Sequence, residues 1–288
     1  GDAVVIVVAE TKGQARDAAE AVEITYKELK PVVDAVKALE KGAPQLHPEA
    51  ENNLIFDWEI GDAKATDAAI KAAAHVTRMK IVNNRLVPNA MEPRAALGHY
   101  DKAEDHYTCW TTSQNPHVAR LVMSAFYNIA PENKLRVIAP DVGGGFGSKI
   151  YIYPEEIVCL WASKKTGVPV KWVADRTESF LSDAHGRDHV SMVEMAFDKD
   201  NRITGLKVDT IANLGAYMSL FSSCVPTYLY ATLLSGQYNI PAIHANVRTV
   251  YTNTAPVDAY RGAGRPEATY LLERTVEVAA RELGVSPA

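Results

Sequence analysis

The run Asp141-Val142-Gly143-Gly144-Gly145-Phe146-Gly147-Ser148-Lys149 constrains this chain more than any other stretch. Four of its nine residues are glycine. Glycine lacks a Cβ, so bare backbone amides can close on a ligand and φ can turn positive. An apolar strand is expected before the run, from Leu135 to Ala139, and a helix after it, from about Pro154 to Lys165. A glycine loop between strand and helix is a usual place to hold an anion or a phosphorylated cofactor. Two familiar loops do not fit. The Walker loop requires lysine directly after its last glycine and a hydroxyl after that, whereas Ser148 precedes Lys149 and Ile150 follows it. The dinucleotide fingerprint requires G-x-G-x-x-G, whereas Gly143, Gly145 and Gly147 give G-x-G-x-G with Phe146 inside the turn. For the loop alone, a tight turn that binds nothing is the competing reading.

Two further segments weigh against that reading. Asp258-Ala259-Tyr260-Arg261-Gly262-Ala263-Gly264-Arg265-Pro266 sets two arginines among small residues, ahead of a helical pattern that reaches about Leu283. Proline is tolerated in a first helical turn, and two forked guanidiniums beside a helix start form an anion-binding constellation. The bland alternative is a solvated arginine pair near a cap. Cys109-Trp110-Thr111-Thr112-Ser113-Gln114-Asn115-Pro116-His117 ends a strand in polar side chains before a helix from about Pro116 to Tyr127. Gln114 can donate and accept, although Ser, Gln and Asn at such a place are more often simple caps.

Together these segments resemble the molybdenum hydroxylase family of xanthine oxidase, the aldehyde oxidases and the large subunit of aerobic carbon monoxide dehydrogenase. The resemblance rests on T-T-S-Q-x-P-H at 111–117, G-G-G-F-G-x-K at 143–149 and A-Y-R-G-A-G-R at 259–265. Met91-Glu92-Pro93-Arg94 followed by Gly98-His99-Tyr100 adds a fourth match in order. It implies an α+β fold: part of a small N-terminal α/β hammerhead-like domain and linker over 1–50, then the first part of a molybdopterin-binding domain with mixed sheets over 51–288. It implies that Gly144, Gly145, Phe146 and Gly147 pack beside the molybdenum–pterin group. Gln114 would hydrogen-bond an oxygen ligand of the metal. Ala259, Tyr260 and Arg261 would form a second cofactor-facing loop, with Arg261 stabilising negative charge on a substrate oxygen, an electrostatic role that suits a fixed cation. The implied cofactor is molybdenum-molybdopterin in its cytosine dinucleotide form. The implied partners are a [2Fe-2S] subunit and an FAD subunit in a cytoplasmic dimer of heterotrimers. The implied reaction is oxidation of an aldehyde or N-heterocycle with water as oxygen source.

Departures from the family pattern sharpen this. Where the carbon monoxide enzyme carries a copper-bridging cysteine after the arginine, this chain has Gly262, and without a thiolate there is no soft ligand for Cu(I). The pattern resembles the second, carbon monoxide dehydrogenase-like form. Where xanthine oxidase has a purine-binding glutamate after the loop lysine, Ile150 stands here. Family large subunits are much longer, with a catalytic glutamate expected beyond residue 288. The resemblance therefore implies an internal piece, inactive alone. A scaffold that kept the fold without cofactor, or a nucleotide-binding domain, are the alternatives.

The rest of the sequence is less specific. Net charge is −5 with no basic block, which argues against nucleic acid, since duplex binding rests on Lys/Arg contacts to phosphate. No stretch approaches the roughly 20 apolar residues needed to span a bilayer. Cys109, Cys159 and Cys224 form no C-x-x-C pair and fit buried thiols in a reducing compartment. His185 and His189 come closest to a helical zinc pair, but Gly186-Arg187-Asp188 between them breaks a helix and no third ligand is evident. Thr11 and Gln14 read as a capping box, Val22–Tyr26 as a strand, Asp34–Glu40 as a short helix, Ala43–Asn53 as a linker and Asp62–Ala74 as a helix. Strands are expected at 75–82, 106–112, 168–174, 190–196 and 203–212, with Asp198–Asn201 as a hairpin turn. Glu155 and Glu156 read as charges complementing a helix dipole, and Ser222-Ser223 lacks a nucleophile elbow.

Overall fold

Local capping explains most of the helices seen in the computed structural model, which describes residues 3–286. Gly1 and Asp2, at the head of the stretch expected to be hammerhead-like, and Pro287 and Ala288 fall outside it. The helices are α1 (Lys12–Glu20), α2 (Ala35–Ala38), α3 (Ala63–Ala72), α4 (Pro116–Ala125), α5 (Pro154–Thr166), α6 (Arg176–Ser182), α7 (Tyr228–Ala231) and α8 (Arg265–Leu283). The strands are β1 (Leu54–Gly61), β2 (His75–Asn83), β3 (Ala95–Asp101), β4 (His106–Thr111), β5 (Leu135–Ile138), β6 (Val170–Val173), β7 (His189–Phe197), β8 (Ile203–Gly215) and β9 (Ile243–Tyr251). Thr11, Asp34 and Asp62 each accept a backbone N–H of the helix they open, as N-cap side chains do. Pro154 and Pro266 sit in first turns, and Gly167 and Gly284 close α5 and α8 with left-handed backbone.

The chain folds as two compact units, each made of two separate segments: 1–29 with 88–183, and 30–87 with 184–288. In the first, a mixed sheet runs β5-β4-β3-β6, with β4 and β5 parallel. Helix α5 lies on β3 so closely that a Cβ at Gly98 would stand 2.3 Å from the Cys159 carbonyl carbon. Tyr107, Cys109, Met123, Leu135 and Leu160 form the core there. Cys109 and Cys159 are buried free thiols, and burial pushes the Cys159 thiol up to about 11. In the second unit the sheet order is β1-β9-β8-β7-β2, with only β8 and β9 parallel. The buried stripe of α8, Ala268, Leu271, Leu272, Thr275 and Ala279, recurs at helical spacing and packs with Val193, Met195, Leu206, Val208 and Val247 of the sheet. Asp198–Asn201 forms the turn between β7 and β8, with Asp198 N donating to Arg202 O and Asn201 at φ 60°.

Three expectations need correction. Val22–Tyr26 is not a strand: it lies exposed, with no ladder partner among the described residues, and a strand is defined by its pairing. The stretch 43–53 is no loose linker, because Asn53 is wholly buried and its Nδ2 donates to Ala38 O and Pro44 O while Oδ1 accepts from Leu46 N. Glu155 and Glu156 do more than complement the α5 dipole. Glu155 pairs with buried Arg94 at 3.0 Å, and Glu156 is buried, accepting from Thr111 Oγ1 and from Tyr153 N. No helix among the described residues is long and apolar enough to cross a membrane.

Candidate functional site

In the first unit, the glycine run is fixed from outside and bare in the middle. Gly143 N donates to Glu92 Oε2 at 2.7 Å, and Lys149 Nζ donates to the same carboxylate at 3.1 Å and to Glu92 O at 2.8 Å. Glu92 thus ties both ends of the loop. Burial pushes the Lys149 ammonium down while Glu92 pulls it back up, the usual contest between desolvation and an opposite charge. Ser148 donates from its hydroxyl to Gly145 O at 3.0 Å, and Tyr153 OH donates to Ser148 O at 2.6 Å. Gly144 and Gly147 have φ of 96° and 108°, and Phe146 has φ 55°. That is a rare state for a bulky residue and a signature of functional turns. Among the described residues the amides of Gly144, Gly145 and Phe146 have no protein acceptor.

Gln114 sits against this loop. Its Oε1 accepts from Gly147 N at 2.9 Å and from Lys149 N at 3.3 Å, while its own amide donates to Lys149 O at 2.8 Å. Two N–H donors on one atom identify that atom as the carbonyl oxygen. Gln114 is an exposed residue, and its Nε2 has no protein acceptor among the described residues. Gln114 is therefore not a cap of α4, whose N-cap is Asn115 with no side-chain cap bond; Ser113 Oγ accepts from Asn115 N. A Cβ at Gly145 would stand 2.3 Å from Gln114 Oε1, so this residue pair requires glycine. Beneath lies a charged core. Burial works against the Arg94 charge, but Tyr153, Glu155 and Asp183 outweigh it. Its guanidinium lies 3.5 Å from the Tyr153 ring centroid.

In the second unit, the 259–265 loop begins at fully buried Asp258, whose Oδ2 accepts from Phe221 N at 3.0 Å and Oδ1 from Ala259 N at 2.5 Å. Arg187, given no role in the sequence reading, donates to Tyr260 O at 3.0 Å, Arg261 O at 2.9 Å and Glu267 Oε1 at 3.2 Å. Arg261 itself is exposed, and its guanidinium forms no ion pair among the described residues. The amides of Tyr260, Arg261 and Gly262 have no protein acceptor among the described residues. Glu92, Lys149, Arg187 and Glu267 are the residues whose roles sequence reasoning missed. Burial of a charge between distant segments leaves little trace in local pattern; the only signals were Glu92 and Lys149 inside two of the quoted motifs, while Arg187 and Glu267 lie outside all of them.

Both loops carry runs of backbone N–H groups without a protein acceptor among the described residues, and Arg261 adds a cation without an ion-pair partner among them; this is chemistry suited to an anionic, oxygen-rich group. Residues 46–288 match the molybdopterin cofactor-binding domain family, and the chain belongs to it. It is 40% identical to the carbon monoxide dehydrogenase large chain of Hydrogenophaga pseudoflava over 99% of this chain and 37% of that one. Its structure superposes on reconstituted CO dehydrogenase from Oligotropha carboxidovorans with a TM-score of 0.90 at 35% identity, covering 96% of this chain and 36% of that one. Quinoline 2-oxidoreductase from Pseudomonas putida 86 superposes with a TM-score of 0.90 at 32% identity, over 97% and 35% of the two chains. The chain spans little more than a third of the length of these relatives.

Proposed function

We propose that this chain is part of the catalytic subunit of a molybdenum hydroxylase that oxidises an aldehyde or N-heterocycle. The observation that carries this is Gln114: its oxygen is held by Gly147 and Lys149, and among the described residues neither its Nε2 nor the backbone amides of Gly144, Gly145 and Phe146 have a protein acceptor. An amide held this way offers hydrogen, not lone pairs, which suits an oxygen ligand on a metal and the oxygens of a pterin phosphate. The molybdenum–pterin group, when bound, supplies two-electron oxidation with water as oxygen source. The residues present fit it: Gly144, Gly145, Phe146 and Gly147 would accept its close approach, as would Ala259 and Tyr260 in the other loop. Arg261 would hold its unpaired charge toward a substrate oxygen as negative charge develops there.

The cytosine dinucleotide form of the cofactor, the [2Fe-2S] and FAD partner subunits, their dimer of heterotrimers and a cytoplasmic setting belong to this proposal, the last in keeping with the buried free thiols. With Gly262 after Arg261 there is no thiolate for copper, so carbon monoxide is not the substrate proposed. The first test is molybdenum and pterin content of the full-length protein, by elemental analysis and cofactor extraction. Stoichiometric molybdenum is expected; its absence would leave a scaffold without chemistry. In loaded protein, Arg261→Ala is expected to lower turnover about 10²-fold or more with molybdenum content unchanged. Unaltered turnover would remove Arg261 from the mechanism.

A further inference from the structure

Arg187 is a charged residue with no solvent to serve. Its side chain is 7% exposed and that of its partner Glu267 is 1% exposed. Such a buried pair is poor at stabilising a fold, because desolvating two charges offsets much of their attraction and an apolar pair of equal volume packs as well. What an apolar pair cannot do is grip successive carbonyls. The Arg187 fork does so: Nη1 donates to Tyr260 O and Glu267 Oε1, Nη2 donates to Arg261 O, and the guanidinium lies 4.8 Å from the Tyr260 ring centroid. In a trans peptide the carbonyl and the N–H point opposite ways. Turning Tyr260 O and Arg261 O inward therefore turns the N–H groups of Arg261 and Gly262 outward, and neither has a protein acceptor among the described residues.

The backbone beneath is built around this grip. Arg187 and Asp188 both have φ 68°, a state that non-glycine residues hold only where the surroundings impose it. Asp188 is pinned by Arg85 Nε at 2.7 Å and Asn213 Nδ2 at 3.0 Å on its carboxylate, and by Asn213 N at 3.1 Å on its carbonyl. Gly186 makes room for the loop, since a Cβ there would stand 2.4 Å from Tyr260 Cβ.

We infer that Arg187, braced by Glu267, is the positioning residue of the 259–262 loop: its two-carbonyl grip aims the Arg261 and Gly262 amides at the cofactor and fixes the backbone from which the Arg261 side chain reaches a substrate oxygen. This rests on the reading of that loop as cofactor-facing. The test uses Arg187→Lys in the full-length protein, because lysine keeps the charge opposite Glu267 but cannot span two carbonyls in a plane. With cofactor removed, tryptic cleavage after Arg261 is expected to quicken about tenfold, as for loss of one hydrogen bond to a charged donor, while other tryptic sites and the unfolding midpoint stay as in wild type. With cofactor present, pterin release is expected to quicken by a similar factor. Wild-type cleavage after Arg261 would overturn the inference, showing that charge alone suffices. Faster cleavage at every site would overturn it too, showing general loosening. Should the lysine variant fail to fold, Glu267→Gln decides by the rate of cleavage after Arg261 relative to the other tryptic sites, because it keeps the packing and removes the brace; its unfolding midpoint is no criterion, since a buried Arg187 charge without its partner lowers it. Selective cleavage in a protein whose wild type holds no molybdenum would uphold the grip and defeat the cofactor reading instead.

Discussion

Gly145 shows how narrow the tolerance is at single positions. A methyl there would stand 2.3 Å from Gln114 Oε1 and 2.4 Å from its Cδ, well inside contact distance. Gly145→Ala must displace either the glutamine or the loop, and the Gly147 and Lys149 amides then lose their acceptor. We expect a loss of about 1–3 kcal/mol in denaturant unfolding and at least tenfold less molybdenum retained. Gly13→Ala, inside α1 and with nothing within 4 Å of the added methyl, is the control: it should raise stability by up to about 1 kcal/mol and leave molybdenum retention unchanged. At this scale the sequence was readable where chemistry and neighbours share one segment: the small and polar residues of 111–117 and 143–149 pointed to each other's company. Arg187 was not readable. Its partners Tyr260, Arg261 and Glu267 are distant in sequence, and nothing local distinguishes it from a solvated arginine between two histidines.

Among elements, most helices were legible, though α6 and α7 were not read, and strands were legible only in part. A helix start is written within four residues, as at Thr11, Asp34 and Asp62, and its stop can be one glycine, as at Gly167. Strands β1, β3 and β9 went unread for different reasons: β1 and β9 pair across distant segments, with Leu54 opposite Val250, whereas β3 forms a local hairpin with β4, Ala96 opposite Thr111, and its small and polar residues hid it. Alternation was present in β9, whose Ile243, Ala245 and Val247 face the core with His244, Asn246 and Arg248 between them, so this strand was legible by its period and was missed. Helix α8 carries the second unit's core, and Leu271 is 2% exposed there. Leu271→Ala should lower unfolding free energy by about 2–5 kcal/mol. A smaller loss, read from urea midpoints, would mean that the site collapses around the deletion.

For the molecule as a whole, buried ionisable groups tie stability to pH. His189 is wholly buried, and burial first, then Arg187, pushes its imidazole from 6.5 down to about 4. Between those values the unfolded chain binds the proton and the folded chain refuses it, so stability rises with pH across this window. Acidification through it should remove up to about 3 kcal/mol. Glu156 and Asp258 act in the opposite sense, since burial raises both carboxyls and their ionisation withdraws stability as pH climbs. His189→Phe isolates the first contribution: its urea midpoint should fall less steeply with acid than the wild type's, and equal slopes would exclude His189 as the titrating group.

The interleaving of the two units has a consequence for biosynthesis. Strand β2 meets β7 through Asn83 and His189, and β1 meets β9 through Leu54 and Val250. Leaving the ribosome at about 5–20 residues per second, β2 waits on the order of 5–20 s for its partner, and β1 longer. Throughout that interval both carry unsatisfied backbone edges into a crowded cell, with the whole of the first unit's second segment emerging in between. Faithful assembly of this sheet is therefore a matter of timing, and the nascent chain is the state in which chaperones have most to protect.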